Sequence, residues 1–71
     1  MIVKLQSPLN DPTAMWLVYG PGKKFLRLMH RGTIPENVRE AVTKAHGIAY
    51  FEIEPNGLTV TFGEQVGEQT W

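Results

Sequence analysis

The chain has 71 residues, seven basic and seven acidic side chains, no cysteine and a formal net charge of zero. That length supports one small domain, and the missing cysteines exclude a disulfide framework and a thiolate zinc site, which favours a reducing cytoplasm. No apolar run approaches the roughly 18 residues of a membrane span, and Lys4, Gln6 and Ser7 interrupt any signal-peptide core.

Alternating apolar and polar side chains over residues 2–6 predict a first strand. Val3 and Leu5 share one side of it, and we interpret it as an edge strand of the sheet. Residues 7–14 follow with two prolines and have the composition of a loop.

A first hairpin is predicted where Gly20-Pro21-Gly22-Lys23 joins two apolar runs, residues 15–19 and 24–30. A type II turn at Pro21-Gly22, or a turn over all four residues, places Leu17 opposite Leu26 on one face. Large apolar side chains also occupy the other face. That second face, called here the predicted face, carries Trp16, Val18, Phe25, Arg27, Met29 and Arg31.

A helix is predicted over residues 34–46. Thr33-Ile34-Pro35-Glu36 matches the capping-box pattern, in which the Thr33 side chain accepts a hydrogen bond from the amide of Glu36. Apolar residues then recur at helical spacing and form one stripe. The stripe consists of Val38, Ala41, Val42 and Ala45. Gly47 has the position of a left-handed residue that ends the helix.

A second hairpin is predicted at Asn56-Gly57, which lies between two alternating runs and is the strongest short-range hairpin signal. A two-residue turn places Ile53 opposite Val60, so that one face is apolar. Glu52 and Glu54 then share the polar face.

Together these elements predict an α+β domain with a mainly antiparallel sheet and a single helix packed on one face, in the chain order β1-β2-β3-α-β4-β5. We place the compact domain at residues 1–62. Residues 63–71 repeat Gly-Glu-Gln and end at Trp71, and we interpret them as a mobile tail. The helix between the third and fourth strands permits several spatial strand orders, so local signals specify only the two hairpins.

The neutral total hides two charged blocks. Residues 1–31 carry five basic residues against Asp11, a net of +4, whereas residues 47–71 carry four glutamates and no basic residue. Two interpretations stay open. The basic block forms a surface for an acidic partner, or the two blocks face each other within one sheet as cross-strand pairs.

The sequence offers little for catalysis or metal binding. Ser7 is the only serine and has no histidine nearby in sequence, while His30 and His46 follow no metal-ligand spacing. Glu52 and Glu54 lie about 6.6 Å apart along a strand, and we interpret them as two solvated carboxylates. We therefore expect no catalytic residue, no metal and no cofactor.

The candidate partner-binding site is the predicted face. A helix of about 13 residues is about 20 Å long and covers one face of a sheet only. If it covers the side of Leu17 and Leu26, the predicted face stays exposed, and its residue types are typical of interaction surfaces. The alternative is internal burial, with the last two strands or the loop at residues 7–14 folded over this face.

Two partner classes fit the predicted face. A homodimer buries apolar surface that a short chain cannot bury alone. A different protein could bind the same residues of the predicted face. Single-stranded nucleic acid would stack on Trp16 and Phe25 and bind Arg27 and Arg31, but the neutral charge and the absence of a nucleic-acid motif favour protein. The prediction is a non-enzymatic, self-associating interaction module with no membrane partner. Its size and class are typical of a small bacterial or phage accessory protein.

Overall fold

The computed structural model describes residues 1–8, 15–57 and 59–71. It has five strands, which are β1 (Ile2–Gln6), β2 (Trp16–Gly20), β3 (Lys24–Met29), β4 (Ile48–Asn56) and β5 (Thr59–Val66). The described residues also contain one α-helix, α1 (Glu36–Lys44), and two 3-10 turns, Pro21–Lys23 and Arg31–Thr33. Every strand pair is antiparallel, so the predicted α+β class is confirmed.

The strands lie in the spatial order β3-β2-β1-β4-β5, which differs from their order along the chain. β1 is the central strand, paired with β2 and β4, so the expectation of an edge strand is wrong. Its position has a physical reason, because Val3 and Leu5 are fully buried and neighbours on both sides satisfy the backbone of the strand. The two hairpins therefore lie on opposite sides of β1. β1 itself brings the basic block beside the acidic one, because Lys4 pairs with Tyr50 of β4 and the Met1 ammonium group contacts Glu52 at 2.6 Å.

The core lies between α1 and one face of the sheet. Val38 and Val42 supply the buried side of the helix, and Ala41 and Ala45 pack against the same cluster. The buried cluster consists of Val3, Leu5, Trp16, Val18, Met29, Ile34, Val38, Val42, Ala49, Phe51 and Ile53. The opposite face of the sheet has no helix over it in the described part of the chain.

The helix begins two residues later than predicted, because of Pro35. A residue that precedes proline is disfavoured in helical conformation, and Ile34 is accordingly extended with its side chain in the core. Pro35 occupies the N-cap position without a side-chain cap, so the predicted capping box is wrong. The Thr33 hydroxyl instead donates to the His30 carbonyl oxygen at 2.7 Å and closes the preceding turn.

The helix ends in a Schellman motif. The amide of Gly47 donates to the carbonyl of Val42 at 2.9 Å, and the amide of His46 donates to that of Thr43 at 3.1 Å. Gly47 is left-handed, as predicted, with a φ of 99°. His46 also has a positive φ, 61°, although it carries a side chain. The motif therefore places an L residue where glycine is favoured.

From Ile53 to Asn56, the β4–β5 hairpin is two residues out of the predicted register, and beyond a register irregularity Phe51 pairs with Gln65. Asn56 pairs with Thr59 and Ile53 with Phe62, and the Thr59 hydroxyl donates to the Asn56 carbonyl at 2.9 Å. A shift of two residues leaves every side chain on its predicted face, because strand side chains alternate with a period of two. Phe51 and Ile53 are accordingly buried.

β5 continues to Val66 and so extends four residues beyond the predicted limit of the compact domain at residue 62. Residues 67–71 belong to no strand or helix, yet Trp71 packs on Tyr50 of β4. The mobility of the tail stays a prediction.

His46→Gly should stabilise the protein. We expect the free energy of unfolding to rise by about 0.5–1 kcal/mol, because the left-handed conformation costs an L residue about 1–2 kcal/mol and the freedom of glycine in the unfolded chain offsets part of that gain. Urea denaturation followed by circular dichroism measures the change. His46→Ala removes the same side chain but keeps the strain, so an equal gain in both variants would contradict the explanation.

Candidate functional site

A β-bulge divides the predicted face between the two sides of the sheet. Val18 pairs with Arg27, but Tyr19 pairs with Phe25, so Leu26 is one additional residue on β3. An additional residue reverses the alternation of side chains along the strand. Phe25 therefore lies on the sheet face opposite to that of Val18.

Three residues of the predicted face belong to the core. Trp16, Val18 and Met29 expose only 7%, 2% and 8% of their surface and lie on the side that α1 covers. The expectation that they are exposed is wrong, because the helix packs on this side and not on the side of Leu17. The structure therefore follows the alternative of internal burial for these three, with α1 as the covering element.

The other three residues of the predicted face lie apart from one another. Phe25 is 48% exposed on the sheet face away from α1. Arg27 is half-buried on the side of the helix. Arg31 is exposed in the turn Arg31–Thr33, where it lines a groove beside α1 together with Arg39. The structure thus does not bring the six predicted residues together into one surface.

The sheet face opposite α1 is exposed instead, and we call it the open face. Its side chains form two rows that cross the strands. The first row consists of Leu28, Leu17, Gln6 and Ile48, and the second of Phe25, Tyr19, Lys4, Tyr50 and Val66. Leu28, Phe25 and Ile48 expose 51%, 48% and 41% of their surface. The open face is therefore largely apolar and aromatic.

Contacts between rings orient the second row. Tyr19 and Phe25 meet edge to face with ring centroids 5.7 Å apart, and Lys4 Nζ lies 4.8 Å from the centroid of the Tyr19 ring. Such contacts favour one arrangement of large side chains on an exposed sheet. The ammonium group of Lys4 is consequently held over an aromatic ring near the middle of the open face.

Acidic side chains lie at one end of the open face, beyond the second row. Glu52 pairs across the strands with Ile2, and Glu54 pairs with Thr61. Both glutamates are exposed, and Glu52 accepts a hydrogen bond from the Met1 ammonium group at 2.6 Å. Carboxylates therefore border the two apolar rows without interrupting them.

Trp71 reaches the open face from the C-terminal segment. Its ring packs edge to face on Tyr50, with centroids 5.5 Å apart, and both side chains are half-buried. The sequence pattern indicates only a tail for Trp71 and no surface for Tyr50. The signal for this contact in the sequence is a large aromatic residue within a polar segment.

The described ranges 1–8, 15–57 and 59–71 contain no group of three His, Asp or Glu side chains that could hold a metal ion. Within the same ranges, no helix is long and apolar enough to cross a membrane.

The open face carries apolar side chains, aromatic rings and Lys4, which are suited to non-covalent binding.

Comparison with protein-family models finds no match for this chain, and comparisons with curated proteins and with solved structures find none either.

Trp16→Ser and Phe25→Ser should differ sharply in stability. Trp16→Ser removes a core side chain and should lower the free energy of unfolding by about 3–5 kcal/mol, which approaches the total stability of so short a chain. Phe25→Ser should cost less than about 1 kcal/mol, because its side chain is half exposed. Thermal unfolding of the two variants measures the difference, and similar losses would contradict the assignment of faces.

Proposed function

We propose that this protein is a non-enzymatic interaction module that self-associates through the open face. The observation that supports the proposal is the exposure of Phe25, Leu28 and Ile48 on one largely apolar face of the sheet, whose polar row members are Lys4 and Gln6. On a small protein, a large exposed apolar surface usually marks an interaction site. The open face therefore differs from the predicted face: it includes one side of the β2–β3 hairpin, extends over β1 and β4, and shares Phe25 with the predicted face.

A second copy of the chain is the partner that this surface fits best. A chain of 71 residues has room for only a small core, and association enlarges the buried apolar surface. Two antiparallel sheets pack face to face at a separation of about 10 Å when each presents apolar side chains. Two open faces would form such a sandwich, with one helix on each outer side.

The distribution of charge also favours a second copy. A two-fold axis that passes between the two rows, near β1 and β2, stacks the apolar rows of both copies. Glu52 and Glu54 lie beyond the rows, so their carboxylates stay at the periphery in water. Lys4 keeps its ring contact with Tyr19 at 4.8 Å, which reduces the cost of covering its charge.

The size of the open face predicts a reversible association. Five strands at about 4.8 Å spacing make a sheet about 24 Å wide, so each copy buries on the order of several hundred Å². An interface of that size is small among specific protein–protein interfaces. We therefore propose a monomer–dimer equilibrium in a cytoplasmic protein, and not an obligate dimer.

Single-stranded nucleic acid is the alternative partner, because the open face presents the rings of Tyr19, Phe25 and Tyr50 on one row. Stacking of bases on aromatic rings is sequence-tolerant, and Lys4 adds one positive charge. The neutral chain and the two glutamates at the end of the face oppose a phosphate backbone.

Leu28→Glu should weaken self-association by at least about tenfold, because the two-fold contact places the new charge in an apolar interface twice. Leu26→Glu is the matched control. Leu26 lies on the same strand and is 38% exposed, but it packs beside Gly20 on the other side of the sheet. Sedimentation velocity from low to high micromolar concentration measures both equilibria.

Three outcomes would contradict the proposal. A wild-type chain that stays monomeric at high micromolar concentration has no self-association. Equal weakening by Leu28→Glu and Leu26→Glu would exclude the open face as the contact. Binding of a single-stranded oligonucleotide at about 50 mM salt that weakens steeply as salt is added, and that Leu28→Glu abolishes, would favour nucleic acid.

A further inference from the structure

The C-terminal segment, residues 67–71, lies against the open face through one aromatic side chain. β5 ends at Val66, and the segment after it makes no strand pairing. Trp71 returns to the sheet and packs on Tyr50 with ring centroids 5.5 Å apart. The segment therefore covers part of the surface to which the proposed function assigns the partner.

This segment contacts the sheet through the ring of Trp71, which packs on Tyr50. Among the described residues, its side-chain hydrogen bond runs from Gln69 Nε2 to the Gly67 carbonyl at 2.8 Å, which is a bond within the segment itself. Glu68 and Thr70 are exposed, whereas Gln69 and Trp71 are half-buried. Release of the segment breaks the contact of the Trp71 ring with Tyr50 and exposes the half-buried Gln69.

Trp71 and a second copy compete for the same space. The gap of about 10 Å between two packed sheets is filled by one layer of side chains from each sheet. Trp71 packs against the ring of Tyr50, a member of the second row, with both side chains half-buried. A second copy that packs on the Tyr50 ring therefore needs the position that Trp71 occupies in the free chain.

We propose that residues 67–71 are a strap that covers Tyr50 in the free chain and leaves it when the open face binds a second copy. This proposal rests on the proposed self-association. The strap makes the free chain less adhesive and weakens the dimer, because both copies must release a tryptophan before the sheets meet.

Trp71→Ala tests the strap. We expect self-association about tenfold or more tighter than in the wild type, because each of the two copies no longer has an aromatic contact to break. Thr70→Ala is the matched control, since Thr70 is exposed in the same segment and should leave the equilibrium unchanged. Sedimentation velocity compares the three chains at equal concentrations.

Acrylamide quenching of tryptophan fluorescence reports the position of Trp71 directly. Trp16 is 7% exposed and so is protected, whereas Trp71 is at the surface. Quenching of the wild type should increase as dimer forms, and quenching of Trp71→Phe, which retains Trp16 as its only tryptophan, should stay constant. A decrease in wild-type quenching would place Trp71 inside the interface and overturn the strap.

The outcomes separate the strap from the proposed function. If the wild type self-associates and Trp71→Ala associates equally or more weakly, the strap is wrong and the open-face dimer stands. If only Trp71→Ala associates, the covering role of Trp71 is supported, and the monomer–dimer equilibrium proposed for the wild type is wrong. If neither chain associates at high micromolar concentration, both the strap and the proposed function are wrong.

Discussion

The structure depends on one constraint, which is that a single short helix must cover a five-stranded sheet. α1 has nine residues and is about 14 Å long at 1.5 Å per residue, so it can bury one face and no more. Val38 and Val42 pack the helix on the face that carries Val3 and Leu5. Among the residues that the structure describes, those on the other face stay exposed or half-buried, and the C-terminal segment packs on Tyr50 among them.

Local signals predicted the elements well, because each depends on residues close in the chain. The apolar stripe of the helix, the left-handed Gly47 and both hairpins are visible in short windows of sequence. Boundaries were less predictable where two local rules compete. The capping pattern at Thr33 favoured an early start of the helix, but Pro35 disfavours helical conformation at Ile34, and the proline effect prevailed.

The choice between the two faces was not predictable from local signals. Residues of β2 and β3 are apolar on both sides, so the pattern alone leaves the covered side open. The deciding fact is that Val18 shares a face with Leu5, its cross-strand partner on β1, which is a long-range pairing. The bulge at Leu26 adds a second uncertainty, since one additional residue moves Phe25 to the other face. One largely apolar face of the sheet is therefore left uncovered by the helix, as expected. Of the six residues of the predicted face, Phe25 lies on it.

The central strand places polar side chains in the middle of the open face. Lys4 and Gln6 are the outward-facing residues of β1 in the two rows, and each interrupts its row between the apolar residues of β2 and those of β4. A polar side chain in the middle of an apolar surface penalises any partner that leaves it unpaired, because burial without a hydrogen bond costs free energy. A partner must match the apolar groups on both sides and also accommodate Lys4 and Gln6. Selectivity would thus come from β1, and affinity from the apolar side chains on either side of it.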